Sequence, residues 1–230
     1  MSWICEIAVT GDTHLRPALH EWLSQVATER WISLPHLQIA DFYEPTEEES
    51  RDPFNHEVAG PLLIAMLDFD SAEALRAAMS SARLLDALQS LPPGLAATSS
   101  AFERRFYAVE GSDADPVLAA PISYVVRYHR PAENEALFIE NYVESHPPTQ
   151  AKLPGIRSIM CYFPRPDLSS PEWPHLDYLV GNEVVFDSVD HFNAAMESPV
   201  RQELRAHFRE FPPFSGANTH FLMQRKRLRP

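Results

Sequence analysis

Phe69-Asp70-Ser71, followed by Ala77-Ala78-Met79, returns as Phe186-Asp187-Ser188, followed by Ala194-Ala195-Met196, at an offset of 117 from Phe69 to Phe186. Two further stretches return in the same order. Leu34-Pro35-His36-Leu37 matches Leu153-Pro154-Gly155-Ile156 at 119 from Pro35 to Pro154, and Ala18-Leu19 matches Ala136-Leu137 at 118 from Ala18 to Ala136. Near-equal offsets in one order read as a single unit of roughly 110 residues present twice. The expected copies are 1–110 and 117–230. They are joined by the polar, turn-rich Gly111-Ser112-Asp113-Ala114-Asp115-Pro116.

Each copy has the same coarse order of elements. In the first, short apolar runs over 3–9, 37–43, 62–69 and 101–109 read as strands. Leu15, Leu19, Trp22, Leu23 and Val26 have helical spacing, and Ser71 caps an Ala-rich helix. A further short helix over 82–91 stops at Pro92-Pro93. The acidic stretch 44–60, with Glu47-Glu48-Glu49, is expected to be a solvated loop. In the second copy the strands are 122–129, 156–163, 178–186 and 218–225, and the helices are 133–146, 189–196 and 200–208. Strand–helix–strand–strand–helix–strand is the split βαβ, or ferredoxin-like, order.

The strand 122–129 carries apolar or aromatic groups on both faces, Tyr124/Val126/Tyr128 and Val125/Arg127/His129. A sheet apolar on both faces needs cover on both. Helices supply one cover and the sister copy the other. The expected fold is α+β: two ferredoxin-like repeats packed sheet-to-sheet as a pseudo-dimeric α/β barrel, with a ligand pocket between the repeats.

Composition narrows the function. The chain has 230 residues and a formal net charge of −13, so a polyanion is repelled and nucleic acid is not expected as a partner. The charge is uneven, with 19 acids against 7 bases up to Asp115 and 13 against 12 thereafter. The basic tail Arg225, Lys226, Arg227 and Arg229 reads as a solvated strand end. Gly is only 7 and Pro 21, and no Gly-rich phosphate loop occurs. Two cysteines, Cys5 and Cys161, build no disulfide framework, and no Cys-x-x-Cys is present. No apolar run reaches the ~18 residues of a membrane span, and no leader pattern opens the chain. A cytoplasmic protein without membrane contact is expected. A further pairing of whole chains into a homodimer remains open.

The second copy resembles the EthD-like family of the dimeric α/β-barrel superfamily over roughly residues 122–225. The resemblance rests on Tyr128-His129-Arg130-Pro131, on Phe138, Tyr142 and His146-Pro147, on Leu153-Pro154-Gly155-Ile156, on Glu183-Val184-Val185-Phe186-Asp187-Ser188, and on Phe192, Met196 and Ser198-Pro199. The first copy has Thr28 where the second has His146, so any site of this type should be single. The resemblance implies a small, cofactor-free protein near oxidative, polyketide or aromatic pathways.

His146 is the leading candidate for acid/base chemistry. Phe138, Tyr142 and His146 share one helical stripe, and Pro147-Pro148 is expected to end the helix there. The helix C-terminus would then raise the imidazole pKa, for proton transfer or for capping the last carbonyls. Tyr128 and His129 point to opposite faces, and one of them would reach the pocket. Arg127 and Arg157 could clamp a carboxylate or pair with Glu140, Glu144 or Glu183. Tyr142 and Tyr162 offer phenolic hydrogen bonds or simply pack. Glu183 lies mid-strand and needs an arginine partner or a functional role. His146, His129 and His175 have no paired metal-ligand spacing, so no metal and no haem is expected. The expected function is a small enzyme, or degenerate enzyme, acting on a hydrophobic aromatic or polyketide-like molecule by proton transfer or oxidation. The alternative is a non-catalytic binding protein with the same pocket.

Overall fold

The computed structural model describes residues 2–53, 60–109 and 120–228; the expected linker 111–116, part of the acidic stretch and Arg229 lie outside them. Eight strands form: β1 (Ser2–Thr10), β2 (Leu37–Pro45), β3 (Leu63–Phe69), β4 (Ala96–Tyr107), β5 (Ile122–His129), β6 (Ile156–Pro164), β7 (Tyr178–Phe186) and β8 (Asn218–Leu228). They close into a barrel in the order β1-β3-β2-β8-β5-β7-β6-β4, and every pairing is antiparallel. Outside it lie α1 (Arg16–Trp22), α2 (Thr28–Ile32), α3 (Ala72–Met79), α4 (Ala82–Gln89), α5 (Glu135–Gln150), α6 (Val189–Met196) and α7 (Pro199–Glu210). The helix expected from the spacing of Leu15, Leu19, Trp22, Leu23 and Val26 forms as α1 and then passes through a π turn at Leu23–Ala27 into α2.

The first four strands run β4-β1-β3-β2 and the last four β8-β5-β7-β6, the same relative order. Local detail matches as well. Pairing shifts register between Leu37 and Ile39 on β2, and between Ile156 and Ser158 on β6. Just before each shift the backbone turns left-handed, at His36 (φ 62°) and at Gly155 (φ 74°). Glycine adopts this conformation freely, whereas a residue with a Cβ is strained by about 1–2 kcal/mol. Ser71 and Ser188 both cap the following helix, accepting from the N–H of Ala74 and of His191.

Pleating sorts the strand residues into three packed regions. Cys5, Ile7 and Val9 of β1 and Leu63, Ala65 and Leu67 of β3 pack under α1–α4, together with Trp22 and Trp31. Tyr124, Val126 and Tyr128 of β5 and Ile159 and Cys161 of β6 pack under α5–α7. The third cluster includes Ile4, Tyr43, Met66, Phe102, Val125, Tyr162, Tyr178 and Met223 and takes no residue from any helix, so it fills the barrel itself.

The two four-stranded sheets meet edge to edge, through β2–β8 and β4–β6. The space they enclose is not the apolar pocket expected between the copies. Side chains fill it, and several are charged. The reason is pleating: the inner faces of the strands other than β6 mix apolar groups with Glu6, Asp41, Asp68, Arg104, Arg127, Glu183 and Arg225, all buried. Arg127 pairs with Glu6 (Nε to Oε2, 3.1 Å), not with the second-copy carboxylates expected from sequence. Its guanidinium lies over the Tyr162 ring, 4.7 Å from the centroid. Gly181 stands opposite on β7; a Cβ there would sit 2.9 Å from Arg127 Nη1 and 3.0 Å from Tyr162 Cβ, so the glycine leaves the guanidinium its room. Asp68 pairs with Arg104. Asp41 holds Arg227 at 2.8 and 2.7 Å and Arg225 at 3.3 Å across the β2–β8 seam.

Removing one member of a buried pair leaves an uncompensated charge, whereas replacing both is far milder. Arg127→Met should therefore lower stability by about 3–5 kcal/mol in urea denaturation, and Glu6→Leu/Arg127→Met should recover most of it. Equal losses for the single and double variants would remove this pair from the account of the barrel.

Candidate functional site

A small cavity, about 50 Å³, lies between the outer face of β5 and β7 and the helices α5 and α7. Its polar lining includes Tyr128, Tyr142, His146, Arg201, Arg205 and His220. Two of these, Tyr142 and His146, arise from one local pattern. Asn134 caps α5 by accepting from the Leu137 N–H (3.1 Å), which fixes the helix phase. Phe138, Tyr142 and His146 then fall on one buried stripe, with Tyr142 and His146 stacked at 4.8 Å.

The helix does not end at His146. Pro147 and Pro148 lie inside α5, which runs on to Gln150. A helical residue before proline is disfavoured, not forbidden, and the last turn is anchored elsewhere. Gln150 and Asn182 exchange amide hydrogen bonds of 2.7 and 3.1 Å, and the Ala151 N–H donates to the Pro147 carbonyl. His146 is therefore neither a helix cap nor a group whose pKa is raised by the helix end. Burial pushes it down to about 3, reinforced by the charge of Arg201 and by His207 and His220. It is a neutral imidazole at neutral pH. Its Nδ1 is buried without a hydrogen-bond partner.

Tyr128 packs edge-on to Tyr142, with ring centroids at 5.3 Å. Burial drives the phenol pKa of both upward. The Tyr142 hydroxyl interacts with Tyr128 but makes no hydrogen bond of normal geometry. His220 lines the cavity from β8, partly buried, and desolvation lowers its pKa to about 4.

The positive side of the site was not anticipated from sequence. Arg201 grips Asp52 with two parallel hydrogen bonds, Nε–Oδ1 3.0 Å and Nη2–Oδ2 2.9 Å. The Tyr124 hydroxyl donates to the same Oδ2 at 2.6 Å. Asp52 belongs to the acidic stretch read as solvated, yet its side chain is wholly buried. The segment is drawn in because the Arg51 N–H donates to Asn193 Oδ1 at 2.8 Å, placing the next side chain against Arg201. Arg201, Leu204, Arg205 and Phe208 do have helical i, i+3, i+4, i+7 spacing, which was the available signal for a cationic stripe. Nothing in the sequence links that stripe to Asp52, 149 residues away.

The remaining candidates lie apart from the cavity. Tyr162 and Glu183 are inside the barrel, where Glu183 accepts from Tyr162 and from Ser123 Oγ (2.6 Å); among the described residues no arginine is hydrogen-bonded to it. His129 is half-buried at the end of β5, against the Tyr178 ring at 4.9 Å. Arg157 is an exposed strand residue 3.7 Å from Asp187, not from Glu140, Glu144 or Glu183. The structure therefore brings together His146, Tyr128 and Tyr142 and separates the other four. Among the described residues no three His, Cys, Asp or Glu side chains converge as a metal site requires, and no helix is long and apolar enough to cross a membrane.

No protein-family model and no curated protein matches the sequence. Solved structures do match in shape. An anthrone oxidase-like protein superposes with a TM-score of 0.62 over 99% of this chain and 92% of its own, at 12% identity. A candidate monooxygenase from Lactobacillus acidophilus gives 0.55 over 98% and 94%, at 8% identity. Another from Fusobacterium nucleatum gives 0.52 over 99% and 94%, at 12% identity. These are dimeric α/β-barrel folds, and the present chain has a fold of that class.

A histidine whose native pKa is lowered binds fewer protons folded than unfolded, so its contribution to stability declines as pH falls from 6.5 toward 3. His146→Phe removes this contribution, while the shift of His220 stays in both proteins. Between pH 7 and pH 4.5 the wild type should lose about 2–3 kcal/mol more than His146→Phe. Parallel urea-midpoint profiles for the two proteins would mean that folding does not shift the His146 pKa.

Proposed function

We propose that the chain is a tandem of two ferredoxin-like repeats, 1–110 and 117–230. The second is EthD-like and carries one small-molecule site at the α5/α7 cavity. What supports the repeat reading is the matched strand order, with the left-handed turn, the register shift and the serine cap recurring at equivalent places. What supports a single site is the first half itself, where Trp22 and Trp31 pack edge-to-face between helices and strands.

We further propose that this site acts on a hydrophobic aromatic or polyketide-like molecule by cofactor-free proton transfer, with oxidation of the resulting anion. One observation carries this: a neutral imidazole lines the cavity with its Nδ1 unpaired, among tyrosines and beside a guanidinium. A neutral imidazole can accept a proton from a phenol or an activated C–H. Arg201 and Arg205 favour the anion that results, and the anion in turn favours the imidazolium. Tyr128 and Tyr142 would orient the ring. The depressed basicity of His146 favours the second reading, a binding protein without turnover.

Anthrone is a suitable probe, since it loses a C–H proton and consumes one dioxygen to give anthraquinone and water. The wild type should accelerate this oxidation in air over buffer. His146→Gln, which keeps the side-chain bulk, should lose about 10²-fold or more of the acceleration. Anthrone binding without acceleration would leave the binder reading. Undiminished turnover by His146→Gln would remove His146 from the chemistry.

A further inference from the structure

The cavity beside His146 is too small for the molecule it is proposed to take. Pockets for organic ligands run to roughly 300–1,000 Å³, while about 50 Å³ holds only a few waters. Its lining comes from the second half, and two of the lining side chains, Arg201 and Tyr124, are already engaged by a group from the first. That group is Asp52, in the segment after β2, and the segment, residues 46–53, belongs to no strand or helix.

Asp52 meets a receptor built for a carboxylate. Arg201 presents the two parallel donors of a guanidinium fork, and Tyr124 adds a third at 2.6 Å. Tyr124 is itself buried and held by Phe192 at 4.7 Å, so its hydroxyl is positioned before any ligand arrives. The segment that delivers Asp52 is fastened to the second half by polar contacts: the Arg51 N–H to Asn193, the Asn193 amide to the Glu49 carbonyl at 3.4 Å, and an exposed Arg51–Glu197 pair at 3.5 Å. Exposed pairs of this kind are worth little.

We propose that Arg201 and Tyr124 form a carboxylate-binding subsite of the cavity, occupied in this structure by the chain's own Asp52. Its ligand is an aromatic or polyketide-like acid whose carboxylate takes the place of Asp52. The inference rests on the proposed function, which it deepens by naming the ligand as an acid. Exchange of one carboxylate for another keeps Arg201 paired throughout, so no buried guanidinium is stranded. Displacement of Asp52 vacates the place of one buried side chain beside Arg201 and Tyr124, both of which line the cavity, and so enlarges the space that the ligand meets. The near-neutral second half, with 13 acids against 12 bases after Asp115, does not turn an anionic ligand away.

The test compares 2-naphthoate with its neutral counterpart, 2-naphthalenemethanol, by calorimetry. Asp52→Ala should bind naphthoate at least about tenfold tighter than the wild type, with under about twofold change for the alcohol. Asp52→Ala/Arg201→Gln should lose that gain. Because either variant can lose fold stability, the wild type supplies a second measurement: naphthoate, and not the alcohol, should speed amide hydrogen exchange in residues 46–53. The proposal is overturned by an equal gain for acid and alcohol, by a gain that survives loss of Arg201, or by unchanged exchange at saturating naphthoate. It is also overturned if naphthoate does not bind the wild type or Asp52→Ala up to about 10 mM. Failure here with anthrone turnover still dependent on His146 would leave the proposed function standing, whereas loss of that dependence would remove both.

Discussion

The ion pair between Arg127 and Glu6 is the constraint on which the rest of the molecule turns. It joins β5 to β1, one strand from each half, inside the barrel. Relative to two well-packed apolar side chains such a pair adds little stability. Its force is on register. A slip of one residue in β1 would carry Glu6 to the helix-covered face and leave Arg127 with no anion. The same slip would put Ile4 and Ala8 outside and Cys5 and Ile7 within, so charge and packing select one arrangement together. Gly181 completes it by yielding the space that the guanidinium fills. With β5 held in this way, Tyr124 and Tyr128 face α5–α7, and the cavity has its floor.

Much of this was legible in the sequence, because the relevant signals are periodic. Strand runs, capping serines and the Phe138-Tyr142-His146 stripe depend on neighbours within a few positions, and the repeated Phe-Asp-Ser and Leu-Pro stretches fell on equivalent turns. What was not legible depends on pairings between distant residues. Asp52 reads as one more charge in an acidic stretch until β2 and α7 are placed together. Arg157 and Arg127 look alike as strand arginines, and only the barrel separates the exposed one from the buried one. The prolines after His146 are a sound local stop signal, overridden by the amide pair of Gln150 with Asn182 on a strand packed beneath.

Arg201 is the electrostatic centre of the second half. It satisfies Asp52, and its field adds to the burial that keeps His146 neutral. A cation and an unprotonated imidazole side by side make an uneven pair, one suited to holding negative charge and the other to receiving a proton. The tyrosines around them have pKa values driven upward by burial and stay protonated, so they act as donors and as apolar walls. On the function proposed, acid/base chemistry falls on the helix-covered face of the sheet, and the barrel interior is a packed core.

The two helix layers differ in how they use their space. In the first half, indoles at Trp22 and Trp31 occupy the region between helices and strands, with Trp31 also stacked on Phe42. In the second half, the matching layer leaves a void beside His146. Matter packed to crystal density is nearly incompressible, while voids yield to hydrostatic load. Pressure therefore meets close-packed rings where the indoles lie, and beside the imidazole it meets space that water can fill.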